Sequence, residues 1–135
     1  MDPCFGTNFP ASFRADPLNS YNTPFRAMTQ APKKTRRQML EEFVAAHPQD
    51  AFARYGLAVE CANSGDSEAA GAHFEHLIES HPDYVAGYLQ YGQLLGRVGN
   101  TDKAKATLSA GIDAARRSGD EHARSEMESA LAGLA

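Results

Sequence analysis

The dipeptide His47-Pro48 recurs as His81-Pro82, 34 residues further on. Other positions repeat with it: Gly65 answers Gly99, Ala70 answers Ala104, Ala58 answers Gly92, and Phe74 answers Leu108. A fixed period of this length restricts the chain to a stacked array of helix pairs. One such pair cannot bury its apolar face alone, so a neighbour must cover it.

The helices can be placed from their stops and caps. The residue before a proline avoids the helical region, so His47-Pro48 and His81-Pro82 each end a helix. Gly65 and Gly99 end others in left-handed turns, where a missing Cβ removes the penalty. A first helix is predicted from near Thr35 to Ala46, carrying Met39, Leu40, Phe43 and Val44. A second, capped by Asp50, runs from Ala51 to about Ser64 and is apolar over much of its circumference. A third follows a cap at Asp66 or Ser67 and stops at His81. The cycle then restarts with Tyr84 to Val98, and a helix capped by Asn100 or Thr101 continues through Arg117. After the turn Ser118-Gly119-Asp120 comes a last helix, Glu121 to Leu134. The predicted fold class is all-α, with about six antiparallel helices and short connections.

Residues 1–34 read differently. Pro3, Pro10, Pro17, Pro24 and Pro32 exclude helix, and Asn8, Asn19, Ser20 and Asn22 add turn character. We expect a disordered tail before a helical domain over 35–134. Phe5, Phe9, Phe13, Tyr21 and Phe25 could dock in a groove as an extended peptide, and Met28 could be the true start.

The 34-residue unit resembles the tetratricopeptide repeat (TPR) of small bacterial-type proteins, an α-solenoid of A and B helices. With units at about 51–84 and 85–118, flanked by half repeats, Ala58 and Gly92 hold the small eighth position. Ala70 and Ala104 hold the twentieth, Phe74 and Leu108 the large twenty-fourth, and Pro48 and Pro82 the thirty-second. Two positions depart from the pattern. The fourth, usually Trp or another large residue, is Arg54 and Tyr88. The twenty-seventh, usually Ala, is Leu77 and Gly111.

The resemblance implies a concave face, lined by the A helices, that holds a peptide or partner helix. By position that face would contain Phe52, Tyr55, Val59 and Asn63 from the first unit and Leu89, Gln93 and Arg97 from the second. These residues could alternatively pack against neighbouring A helices. A carboxylate clamp of Lys and Asn at the fifth and ninth positions, found in some members, is not supported, since Tyr55 and Val59 stand there.

Other chemistries have less to stand on. His73 and His76 share a helix face and could hold a metal with Glu79, but no fourth ligand converges on them. Only Cys4 and Cys61 are present, too few for a disulfide framework, and Cys61 falls on an apolar face as core filler. No phosphate-cradling loop, HExxH or nucleophile-elbow motif occurs, so an enzyme is not expected, and neither is a cofactor. The net charge of −4 argues against nucleic acid and anionic lipid, despite the basic run Lys33-Lys34-Thr35-Arg36-Arg37. The uncharged run Tyr84 to Gly96 is too short for a membrane span, and no secretory signal is evident, so cytoplasmic residence is the default.

The expected function is a non-catalytic protein-protein interaction module, an adaptor or scaffold. The alternative is a homo-oligomer formed by end-to-end stacking. Charged residues on the first helix (Arg36, Arg37, Glu41, Glu42) and the last (Arg124, Glu126, Glu128) suggest polar end caps, and hence a monomer.

Overall fold

The computed structural model describes residues 33–134. Readings that fall on residues 1–32, including ring docking and the start at Met28, lie outside the described residues. Among the described residues there are six helices and no strand: α1 Arg36–Ala46, α2 Ala51–Asn63, α3 Ser67–Ser80, α4 Val85–Arg97, α5 Thr101–Ser118 and α6 Glu121–Gly133.

Local chemistry fixes the ends. Thr35 and Gln38 form a reciprocal capping box, with Gln38 N donating to Thr35 Oγ1 at 3.1 Å and Thr35 N to Gln38 Oε1 at 2.9 Å. Asp50, Asp66, Asn100 and Asp120 each accept a hydrogen bond from a backbone N–H in the first turn of the next helix. Each such cap contributes about 1 kcal/mol. At α3 and α5 the cap is thus the earlier of the two candidate residues. His47 and His81 stop their helices in near-identical conformations (φ −132°, ψ 69° and φ −136°, ψ 77°). Gly65, Gly99 and Gly119 adopt positive φ of 87°, 90° and 75°.

The helices stack in two layers. α2 packs on α3 and also touches α4; α4 packs on α3, α5 and α6; α5 packs on α6; and α1 covers α2. α4 is therefore the central element, while α3 and α5 rest on it without packing against each other. One core cluster joins Leu57, Cys61, Phe74 and Leu77 to Tyr91, Leu94 and Leu95 of α4. Phe74 and Tyr91 stack with centroids 5.7 Å apart. The second cluster surrounds Tyr88, Leu108, Ile112 and Met127.

The packing explains both departures from the repeat pattern. At the twenty-seventh position the fully buried Leu77 is matched by Gly87 of α4, where a Cβ would lie 3.0 Å from Leu77 Cδ2. In the next unit the sizes are reversed. A Cβ on Gly111 would lie 2.4 Å from Tyr88 Cβ and 2.5 Å from Met127 Sδ, so Gly111 makes room for the large fourth-position side chain. The fourth-position residues also share a bond. Tyr88 Oη donates to the carbonyl of Pro82 at 2.7 Å, and Arg54 Nη2 approaches the carbonyl of Pro48 at 3.5 Å. Arg54 thus serves where an aromatic is usual, its stem packed and its tip polar.

The basic leader is consumed internally. Arg36 pairs with Glu60 at 3.3 Å, and Arg37 with Glu41 and with the α3 cap Asp66, both at 3.0 Å. Asp66 is held below the usual carboxylate range by the Ala69 N–H and then by Arg37. The reading of α1 as a largely polar end cap needs correction: Met39 is 54% exposed and Phe43 45%. They project from the flank of α1, beside the face that Leu40 and Val44 turn to the core.

Adding a methyl group at Gly111 should force Tyr88 or Met127 to move. Gly111→Ala is expected to cost about 1–3 kcal/mol from overpacking, outweighing the roughly 0.5–1 kcal/mol that alanine returns in a helix. At Gly56 the same Cβ would meet only Leu40 Cδ2 at 3.7 Å, so Gly56→Ala should stabilise. Thermal melts of the two variants should move in opposite directions, by several degrees each.

Half-buried His73 has its Nδ1 3.3 Å from Arg54 Nη1, which can donate only to a neutral ring. Burial and then the Arg54 charge lower its pKa. The unfolded ring protonates first, near its ordinary value of about 6.5. Stability should therefore be complete above that value and decline as pH falls towards the lowered folded value. His73→Asn should flatten this dependence between about pH 7.5 and 5.5, read from melting temperatures.

Candidate functional site

The seven residues assigned to the A-helix face lie on α2 and α4, and their environments differ. Phe52 is 74% exposed in the first turn of α2, and Asn63 is exposed at its last residue. Tyr55 and Val59 are half-buried against the first core cluster. The Tyr55 ring lies 5.4 Å from that of Tyr84 and 6.5 Å from that of Phe74, and burial raises its hydroxyl pKa. Leu89 is half-buried against the second cluster. Gln93 and Arg97 are exposed on α4.

Two of the seven, Gln93 and Arg97, border a groove of about 410 Å³ between α4 and α6, whose floor and far wall include Gly92, Gly96, Ala130 and Leu134. Gln93 also borders an adjoining, more polar groove of about 520 Å³, lined by His122, Ser125, Glu126 and Ser129. Phe52, Tyr55, Val59 and Asn63 line neither. Arg97 has no carboxylate partner among the described residues, whereas Arg117 pairs with Asp83 at 3.4 Å and Arg124 with Glu128 at 2.7 Å. Gly92 and Gly96 line the groove, but the space beside each is taken by a leucine: a Cβ would lie 2.5 Å from Leu108 Cδ2 at Gly92 and 3.2 Å from Leu134 Cδ2 at Gly96.

The α6 side of the groove escaped the 34-residue register for a structural reason. Val85 follows Ala51 by 34 residues, but Glu121 follows Val85 by 36. No His-Pro stop interrupts α5, which continues for 18 residues before Gly119 turns the chain. Shifted by 36, Leu89, Gln93 and Arg97 correspond to Ser125, Ser129 and Gly133. These three are among the α6 residues that line the two grooves.

Elsewhere, His73 faces Arg54, and His76 Nδ1 lies 3.4 Å from Ser80 Oγ. Among the described residues no three His, Cys, Asp or Glu side chains come together to hold a metal, so His73, His76 and Glu79 do not form the set considered from sequence. Cys61 is fully buried, and burial raises its thiol pKa, the opposite of what a nucleophile needs. No helix among the described residues is long and apolar enough to cross a membrane.

Comparison with known proteins agrees with this geometry. No family model matches the chain. A TPR repeat-containing protein of Pseudomonas aeruginosa is 31% identical over 88 residues, covering 65% of this chain and 84% of that protein. A tetratricopeptide repeat domain protein of Salinibacter ruber, solved in solution, is 39% identical, with a TM-score of 0.62 over 64% of this chain and 88% of the other. The type III secretion translocator chaperone SycD of Yersinia enterocolitica shares the fold, with a TM-score of 0.69 over 89% of this chain and 84% of its own, at 12% identity. The repeat register, the layered helix pairs and these relatives agree, and the chain belongs to the tetratricopeptide-repeat family.

Proposed function

We propose that the chain is a non-catalytic interaction module that holds a segment of a partner protein on the face made by α2, α4 and α6. The observation that carries this reading is the groove between α4 and α6, with Arg97 lacking a carboxylate partner among the described residues at its edge and Leu108, Ala130 and Leu134 in its lining. An arginine with no internal partner offers charge-assisted hydrogen bonds to a carboxylate or carbonyl of the bound segment. Ala130 and Leu134 in the same lining offer apolar contact to an anchor of that segment. Exposed Phe52 and half-buried Tyr55, Val59 and Leu89, with Asn63, extend the same face along α2 and α4. A cytoplasmic setting belongs to this reading and is supported by Cys61 standing as a buried free thiol.

Peptides selected from a random display library with the full chain provide the test. Arg97→Glu is expected to weaken the selected peptides about tenfold, since a charge-assisted contact becomes a repulsive one. Lys105→Glu, exposed on α5, should leave them unchanged. Equal binding by parent and Arg97→Glu would remove the α4–α6 groove from consideration.

A second reading, self-association through the end of the stack, is favoured by Met39 and Phe43 exposed on α1. Light scattering across a concentration series separates the two readings. A dimer abolished by Phe43→Glu would put self-association first, and a monomer at every concentration would leave the interaction module alone.

A further inference from the structure

On the opposite layer, α3 and α5 both rest on α4 and leave a channel between them. Tyr88 and Tyr91 of α4 form part of its floor, and small Ala106 and Ala110 of α5 one wall. One cavity, of about 390 Å³, lies between α3 and α5; a second, of about 340 Å³, continues it between α3 and α4 alone, and Glu75 and Tyr91 stand at the crossing that the two share.

That crossing shows what the channel accepts. Glu75 Oε2 accepts a hydrogen bond from Tyr91 Oη at 2.7 Å and a second from Lys103 Nζ, reaching over from α5. The same ammonium sits 5.7 Å from the centroid of the Tyr91 ring, within cation–π reach. Lys103 and then Tyr91 hold the Glu75 carboxyl below its ordinary range. A lysine of the chain itself thus occupies a site built from a carboxylate and an aromatic face. Glu68 lies seven residues before Glu75 and Glu79 four after it, so the three share one face of α3 and line the channel wall. Among the described residues neither Glu68 nor Glu79 has an ion-pair partner, and Lys103 is the only cation among the channel residues.

We propose that the α3–α5 channel is a second docking surface, and that it takes a partner segment carrying lysine or arginine side chains between apolar ones. The basic groups would meet Glu68 and Glu79 on either side of the Lys103 bridge, as Lys103 meets Glu75, while apolar neighbours cover Tyr88, Ile78 and Leu94. Eleven residues of helix separate Glu68 from Glu79, a rise of about 16 Å. An extended segment would therefore space its basic residues about five apart. An acidic segment, a phosphate backbone or an anionic membrane would instead face unpaired carboxylates and be repelled.

The test uses the full chain and a fluorescein-labelled amphipathic peptide of lysine and leucine, read by anisotropy beside its glutamate-for-lysine counterpart. The lysine peptide should bind and the glutamate peptide should not. Glu68→Lys/Glu79→Lys should weaken binding about tenfold, the loss expected from two exposed ion pairs. Ala106→Tyr, which fills the channel without changing charge, should weaken it comparably. Glu121→Lys/Glu128→Lys on α6, at two positions outside the grooves, changes net charge by the same amount and should stay within about twofold. The proposal is overturned if the lysine peptide fails to bind, if both peptides bind alike, if the α6 variant loses as much as the channel variant, or if Ala106→Tyr has no effect.

Discussion

The stack depends on α4 having side chains and gaps of complementary size on every side. An antiparallel helix pair buries only the face between its own members, so the second face must be covered by the next pair. Here Leu77 of one unit projects towards Gly87, Leu108 towards Gly92, and Tyr88 fills the space above Gly111. Each contact joins a large side chain to a missing one, which brings helices close without a cavity or strain. The repeat pattern tolerates exchange at a position provided that its neighbour changes in the opposite sense. Leu77 and Gly111 occupy the same register position with opposite sizes.

The central place of α4 also determines where surface is left over. α3 and α5 are held apart because both are seated on α4, and the channel between them follows from that spacing. On the other layer α4 and α6 leave a shallow groove bordered by Gln93 and Arg97. At the ends, helices with a single flank covered behave differently. α6 engages Arg124 with Glu121 and Glu128, whereas α1 leaves Met39 and Phe43 exposed. Charge is also spent unevenly. Arg36 and Arg37, in the first turn of α1, pin it to α2 and to the cap of α3, so the arginines of a cluster that reads as a patch in sequence become part of the scaffold.

Much of this was legible before any coordinates. Asp50, Asp66, Asn100 and Asp120 act as caps because a short polar side chain can reach back to an orphan N–H within four residues. His47 and His81 stop helices because the following proline ring restricts them. Interactions of this range are written in consecutive residues. Gln93 and Arg97 could be assigned to an A-helix surface by the 34-residue register, whereas their partners Ser125, Ser129 and Gly133 fall outside it. The register changes from 34 to 36 where α5 runs on without a proline stop. Arg54 looked like a defect at the fourth position until its guanidinium was seen beside His73 and the Pro48 carbonyl.

The helices, their order, their antiparallel pairing and the family follow from local stops, caps and one repeating period in the amino-acid order. Which large side chain meets which gap, which charges are internally satisfied and which remain at a groove or channel emerge only when the helices pack. Those outcomes depend on residues far apart in the chain, such as Glu75 with Lys103 and Tyr88 with Gly111. Their meeting is set by how helices of different length settle on α4, a sum of packing preferences that no single stretch of residues contains.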